Sequence, residues 1–391
     1  MKILHTSDWH LGKKLEGQSR ITEQKLFIND LEEIIKNEKI DLVLLAGDIY
    51  DTYNPSAEAE KLFFDSIKQL SLNGNVGIII IPGNHDNPAR LNAVSHLAKD
   101  YGVIIYETAF QKIETGRYGS LNIYKNSPGG IFIEKNEKKI YLYNLPFPSE
   151  AILNETFEEK KFNLRIKEIL EEGVSYNDEN IPTAIMTHIY VAGSMGEGEV
   201  ALELGGSRAI STGDLPEVEY IALGHVHKPM VFKNKNAYYC GSPLEYRVTE
   251  NRFDKKVFVV DISLDSSVIK EIPISNYKPI KEYLVNGAEE AIQKSNELLD
   301  KNEWIYLKVK LDEPLTNSAI RKIKSNKNIL EIIPIIELNE EENEVTLYNE
   351  TNLEEAFIEF FKEESEGLAP NDNILKLFLE LLEEGEKDET N

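Results

Sequence analysis

One cysteine in 391 residues, Cys240, has no partner inside the chain. An internal disulfide framework and a cysteine-based metal site are both excluded, and the usage fits a reducing cytoplasm. Beside Gly241, the residue reads as a small buried apolar side chain. No stretch of about 18 consecutive apolar residues occurs, so no membrane span is expected. Met1 runs straight into a strand-like segment, leaving no room for a signal peptide, and a cytoplasmic location is expected. Positive charge is also short: 43 Lys and Arg stand against 68 Asp and Glu, a net charge of −25. Taken alone, that balance disfavours a polyanionic partner. Its distribution weakens the objection, because residues 331–391 hold 20 acidic and 3 basic residues, a net of −17, leaving −8 for the first 330. Local basic faces stay open, although the candidates are sparse: Lys13, Lys14 and Arg20, then Lys138 and Lys139, then Lys255 and Lys256. A P-loop is missing too. The Gly-rich segment 191–214 lacks its spacing and its strand–helix setting, so nucleotide binding is not expected. That segment reads as a substrate-facing loop, with Arg208 and Ser207 as candidate phosphate contacts.

What the chain does have is an apolar run that stops abruptly at a polar ligand-type residue, five times over. Lys2-Ile3-Leu4-His5 leads into Ser7-Asp8-Trp9-His10, and Leu42 to Ala46 ends in Gly47-Asp48-Ile49-Tyr50-Asp51. Ile78 to Ile81 ends in Pro82-Gly83-Asn84-His85-Asp86, Thr183 to Met186 in Thr187-His188, and Tyr220 to Leu223 in Gly224-His225-Val226-His227. Buried strands of an α/β sheet read as continuous Val/Ile/Leu runs, and such sheets carry their sites at the strand ends. Of the seven histidines, only His5, within the first strand, and His96, on an expected helix, fall outside these motifs. A lone loop histidine is usually just solvated or hydrogen bonded; joint occurrence in this order describes one dinuclear centre. Two cations roughly 3.5–4 Å apart clamp a phosphate and activate a water for in-line attack. Imidazole with carboxylate and amide oxygen suits Mn, Fe or Zn, whereas a structural zinc site is thiolate-rich. Asp8 and His10, like His225 and His227, are two residues apart, which in extended backbone puts both side chains on one side.

Around these motifs the pattern is α/β. Helices are expected over 22–37, with Leu26, Phe27, Leu31, Ile34 and Ile35 on one face, and over 57–72, separated from the strands by loops at 11–19 and 50–55. Short strands with turns between Val103 and Leu145 suggest a second sheet, hence a two-sheet sandwich flanked by helices. A charged amphipathic helix is expected over 153–173. Segments 257–262 and 268–274 read as a closing hairpin. A smaller unit then shows a helix at about 288–302, a strand at 304–311, a helix at 317–325 and a strand at 329–336, without ligand residues. Two amphipathic helices, 353–364 and 373–384, follow. Phe357, Phe360 and Phe361 on the first, with Leu375, Phe378, Leu379 and Leu382 on the second, pack on the chain's own core or dock a partner helix.

The blocks His5-Thr6-Ser7-Asp8-Trp9-His10-Leu11-Gly12, Ala46 to Asp51, Gly83-Asn84-His85-Asp86 and Gly224 to Pro229 resemble the calcineurin-like metallophosphoesterases, and within them the bacterial SbcD nuclease family. The Gly241-Ser242-Pro243 turn and the downstream α/β unit are similar too, so the likeness covers most of the chain, firmly to about residue 275. It implies a metallophosphoesterase sandwich over 1–277, an α/β capping domain over 278–345 that helps hold DNA, and C-terminal helices over 346–391 that bind the base of the coiled coil of an SbcC-type ATPase. Asp8, His10, Asp48 and His227 are implied ligands of one metal, with Asp48 bridging and Asn84, His188 and His225 completing the other; Mn²⁺ is the implied ion. His85 is implied to act on the substrate rather than on a metal, with Asp86 orienting its imidazole. Asp51 takes a position where some relatives outside bacteria carry His, and its part is open. The implied activity is 3′→5′ exonuclease on duplex ends and endonuclease on single strands and hairpins, in a homodimer within a heterotetramer. Two rival readings are a small-molecule phosphoesterase, which would not need the last hundred or so residues, and a mainly structural DNA-tethering protein, which would show a degraded ligand set.

Overall fold

Strand Leu42–Ala46 shows why the interior is layered. All five residues are buried, and successive side chains point to opposite faces. Leu42, Leu44 and Ala46 enter one apolar core, while Val43 and Leu45 enter another. A strand covered on both faces admits a polar side chain only where a partner meets it, so polar residues gather where the strand leaves the sheet. The computed structural model describes residues 1–93, 99–156, 162–192, 209–264 and 267–336.

A six-stranded sheet runs in the order Val268–Pro273, Lys256–Asp261, Lys2–Thr6, Leu42–Ala46, Gly77–Ile81, Val103–Ile105. Its last four strands are mutually parallel, and the 256–273 hairpin closes the other edge antiparallel. An eight-stranded sheet faces it, with Lys138–Leu145, Thr183–His188, Tyr220–Gly224 and Ala237–Tyr239 parallel at its centre. Ile3, Leu44 and Ile79 of the first sheet meet Ile133, Leu142 and Met186 of the second in the core between them. Helices Ile21–Glu38 and Ala57–Leu70 cover the outer face of the first sheet, and Phe162–Ser175 packs in the core outside the second. The expected two-sheet sandwich flanked by helices is therefore present.

A separate three-stranded parallel sheet, Ile280–Asn286, Trp304–Leu311 and Ile329–Ile336, follows with helices Gly287–Glu297 and Asn317–Ile323. One of its faces has its own core of Val285, Leu307, Val309 and Ile323. Ile280, Trp304, Tyr306 and Leu330 instead pack around Leu15, from the loop that follows the first strand. Trp304 Nε1 also donates to the Glu23 carboxylate at 2.7 Å.

Several elements depart from the sequence reading, each for a local reason. Segment 11–19 holds a small hairpin, Lys14–Leu15 with Gln18–Ser19, turned by Glu16 and Gly17, both with positive φ. Strand Ile280–Asn286 was not expected, because as an edge strand it keeps mostly exposed residues, Leu284 among them, and shows no apolar alternation. Val103–Ile105 extends the first sheet instead of opening the second. The helix expected over 153–173 is two: Glu150–Leu153, which ends where Asn154 turns left-handed, and Phe162–Ser175. The helix expected to reach 302 ends at Glu297. Leu26 lies on the outer side of its helix, 44% exposed. His96, Arg208, Ser207 and both C-terminal helices lie outside the described residues.

Candidate metal centre

The first two strand ends converge because the loops that leave them are laced together by their main chains. Asp8 N donates to Gly47 O at 3.0 Å, His10 N to Asp48 O at 3.0 Å, and Leu11 N to Ile49 O at 2.8 Å. Gln24, reaching in from helix Ile21–Glu38, donates to the His10 carbonyl at 2.8 Å and accepts from Gly12 N at 3.1 Å. The tight turns require left-handed backbone at Asp8 (φ 53°), His10 (φ 44°), Asp48 (φ 52°) and His225 (φ 105°). Gly47, at φ 86°, is needed for a second reason: a β-carbon there would collide with the His188 ring. At Gly83 it would strike the Asp48 carboxylate.

Two groups of ligand-type atoms form the interior, Asp8 with His10 and His227, and Asp48 with His188 and His225, and a third, His10 with Asp51 and His85, adjoins them. Asp48 Oδ2 lies 3.6 Å from His10 Nε2 and 3.4 Å from His188 Nε2, so one carboxylate oxygen reaches both groups. Asn84 Oδ1 sits 3.1 Å from His188 Nε2 and 2.9 Å from His225 Nδ1. His188 Nδ1 meets the Ala46 carbonyl at 2.8 Å, and since a carbonyl only accepts, Nδ1 carries a proton and Nε2 is the nitrogen that faces inward. All seven side chains that the sequence singled out as ligands are thus brought to one place.

His85 stands at the edge of this group. Its ring packs edge-on to His10 with centroids 4.9 Å apart, and its Nδ1 donates to the Asp51 carbonyl at 2.9 Å. Asp86 does not orient it, contrary to expectation. That carboxylate is buried and accepts from Ile49 N at 3.0 Å, Tyr50 N at 2.9 Å and Gly83 N at 2.9 Å. Asp86 therefore ties the Asp48 loop to the Asn84 loop through their backbones. The Asp51 carboxylate pairs with Lys13 at 2.7 Å and lies 3.6 Å from His10 Nδ1.

Sequence reasoning missed the residues that support the ligands. Glu250, on the turn after Gly241-Ser242-Pro243, accepts from His227 Nδ1 at 2.8 Å and pairs with buried Lys255 at 2.7 Å. Ser7 donates to the Asp8 carboxylate and contacts Cys240, which is buried as expected. Nothing in a lone Glu eight residues past a turn marks it in the sequence. Two of the candidate basic residues are interior: Lys255, and Arg20, whose guanidinium serves Glu23 and the Glu245 carbonyl. His5 is structural, buried beside Phe258 with Nδ1 2.9 Å from Tyr220 Oη.

Burial works to raise the Asp48 carboxyl, yet the neighbouring His188 and His10 hold it well below the ordinary carboxylate range. Burial likewise opposes charge on His188, and Asp48 outweighs it, lifting the imidazole to about 9. His225 is pushed down to about 3 by burial and by His188. A buried set with such opposed demands suits a bound cation better than protons. His10 Nε2 and His227 Nε2 point at each other across 3.0 Å, a gap that holds at most one proton but converges two lone pairs. Two carboxylates, four imidazoles and one amide oxygen fit a pair of Mn, Fe or Zn ions.

Residues 1–229 match the model of the family described as Calcineurin-like phosphoesterase. Among relatives of known name, the chain is 34% identical to the SbcD component of the SbcCD nuclease of Bacillus subtilis (strain 168), over 97% of both chains. It is 28% identical to the component of the same name from Staphylococcus epidermidis, over 86% of both. A third, from Staphylococcus saprophyticus, is 30% identical over 79% of this chain and 78% of its own.

Proposed function

We propose metal-dependent nuclease chemistry for this chain, which belongs to the calcineurin-like phosphoesterase family and, within it, to the SbcD components of SbcCD nucleases. It hydrolyses phosphodiester bonds of DNA as the nuclease subunit that works with an SbcC-type coiled-coil ATPase. The observation that carries this reading is Asp48, whose Oδ2 lies between the two ligand groups at 3.6 and 3.4 Å from His10 and His188. A shared carboxylate is what a two-metal hydrolase needs.

On this reading Asp8, His10, Asp48 and His227 hold one cation, and Asp48, Asn84, His188 and His225 the other, with Mn²⁺ the preferred ion. When bound, such cations lower the pKa of water and offset the charge that develops on a phosphate. The chain's own residues set geometry and move a proton. His188 is held in one tautomer by the Ala46 carbonyl. Because His85 Nδ1–H donates to the Asp51 carbonyl, His85 Nε2 is the atom left to meet substrate. There, as the imidazolium with a second proton on Nε2, it stabilises phosphorane-like charge and passes that proton to the leaving oxygen. Asp86 keeps the two loops at fixed separation. Residues 1–277 form the nuclease domain, 278–345 the cap that helps hold DNA, and 346–391 the SbcC-binding segment of a dimeric assembly. The activities are 3′→5′ exonuclease on duplex ends and endonuclease on single strands and hairpins. Among the described residues no helix is long and apolar enough to cross a membrane.

The test is cleavage by the full-length protein with Mn²⁺, on hairpin DNA and on a phosphomonoester. Hairpin cleavage that falls about 10²–10⁴-fold in His85→Ala, while calorimetry still counts two Mn²⁺, is the expected result. Faster turnover of the monoester would favour a small-molecule phosphoesterase. Absence of nuclease activity even with the SbcC partner would overturn the proposal.

A further inference from the structure

Three of the imidazoles at the candidate metal centre differ in what meets their outer nitrogens. His188 Nδ1 meets a neutral backbone carbonyl, that of Ala46. His10 Nδ1 makes no hydrogen bond among the described residues, and the Asp51 carboxylate, turned to Lys13, stays 3.6 Å away. His227 Nδ1 meets a carboxylate, Glu250 Oε1, at 2.8 Å.

The Glu250 carboxylate divides its work between its two oxygens. Oε1 serves the imidazole, while Oε2 accepts from Lys255 Nζ at 2.7 Å, Ser242 Oγ at 3.1 Å and Tyr246 N at 3.2 Å. Its side chain is 5% exposed and that of Lys255 3%. Lys255 Nζ also reaches the His227 carbonyl at 3.4 Å, so the pair grips both the ring and the backbone of that histidine. Replacing a buried ion pair by apolar side chains is often neutral, so stability alone is a weak reason for this one. Here the ion pair fixes one oxygen so that the other can face the ring.

We propose that Glu250, anchored by Lys255 and Ser242, is a positioning residue for His227 that strengthens cation binding at the Asp8, His10 and His227 group and not at the Asp48, His188 and His225 group. The proposal rests on the two-metal reading above. An anionic partner on the outer nitrogen fixes the tautomer, orients the ring and raises the basicity of the inner nitrogen, and losing it typically costs 10–100-fold in metal affinity. Removing it therefore acts on one ion of the pair, the one beside His227.

The experiment strips metal from the full-length protein and titrates Mn²⁺, with calorimetry for affinity and electron paramagnetic resonance for the coupled pair. Glu250→Gln tests the charge, Glu250→Ala the whole contact. Glu250→Met with Lys255→Met removes both charges, so no ammonium is stranded and folding is kept separate from orientation. One of two binding steps should weaken by about 10–100-fold in Glu250→Ala, with Glu250→Gln in between. Single-ion spectra should appear at Mn²⁺ levels that give the wild type a coupled pair. The double variant, melting like the wild type, should keep the deficit. Unchanged affinities, equal weakening of both steps, or full recovery in the double variant would each overturn the proposal. Failure of the wild type to take up two ions would overturn the two-metal reading itself.

Discussion

Asp86 offers the sharpest separation between what sequence and structure say. Beside His85 in the chain, it reads as an orienting partner of that imidazole; in the fold its oxygens accept three backbone N–H groups, from Ile49, Tyr50 and Gly83. Asp86→Asn keeps the shape but turns an amide donor toward at least one of those donors. A buried donor left without a partner costs about 1–3 kcal/mol, so one or two orphaned N–H groups put the loss at about 3 kcal/mol. With an m-value of about 3 kcal/mol per M urea, the unfolding midpoint should drop by about 1 M. Asp86→Ala orphans all three and should fall further. Because the tie joins the loop of Asp48 to that of Asn84, Mn²⁺ affinity should fall as well. The measurement is urea unfolding in EDTA, so that lost metal does not contribute, alongside Mn²⁺ calorimetry. If Asp86→Asn unfolds at the wild-type midpoint and binds both ions, yet cleaves slowly, the carboxylate acts through His85 and the reasoning from its contacts is refuted.

Gly47→Ala should lower cleavage by about 100-fold or more, since a small displacement of a positioned group costs that much and the new β-carbon meets the His188 ring; Gly17→Ala, with positive φ but open space around it, is the control expected to stay active. Saturating the centre with Mn²⁺ at about 100 times its dissociation constant should add about 2.7 kcal/mol of stability for each ion bound, seen as a melting temperature that rises with Mn²⁺ and falls with EDTA; an unchanged melt would count against the site. His5→Phe should leave Mn²⁺ stoichiometry intact while costing about 1–3 kcal/mol, because buried Tyr220 Oη loses its partner. Deleting residues 351–391 should abolish co-purification with SbcC and spare single-strand cleavage; retention of SbcC would remove those helices from the docking role.

The ligand side chains were legible because their strands are buried on both faces: in Leu42–Ala46 or Tyr220–Gly224 polar residues gather where the chain leaves the sheet. The same logic read the sandwich and the Trp304–Leu311 strand. It failed where burial is one-sided or absent, as in edge strand Ile280–Asn286 and in the hairpin at Glu16-Gly17. The supporting residues were illegible for another reason. Glu250 is 23 residues from His227, and Gln24 is 14 from His10; each matters through tertiary hydrogen bonds that leave no periodic trace. Asp86 departs from its reading because neighbours in sequence need not be neighbours in side-chain space, and the turn sends its carboxylate back under the loop.

Four of the candidate ligands, Asp8, His10, Asp48 and His225, sit on left-handed backbone that side-chain-bearing residues adopt only at a cost of about 1 kcal/mol or more each. Stability alone favours glycine or asparagine at all four. The centre is thus a standing liability of the fold, kept against the drift that mutation imposes on any domain near its stability threshold. A descendant freed from catalysis would shed these residues early and gain stability by doing so. In this chain the four residues on that backbone are also ones whose ligand-type atoms meet at the centre.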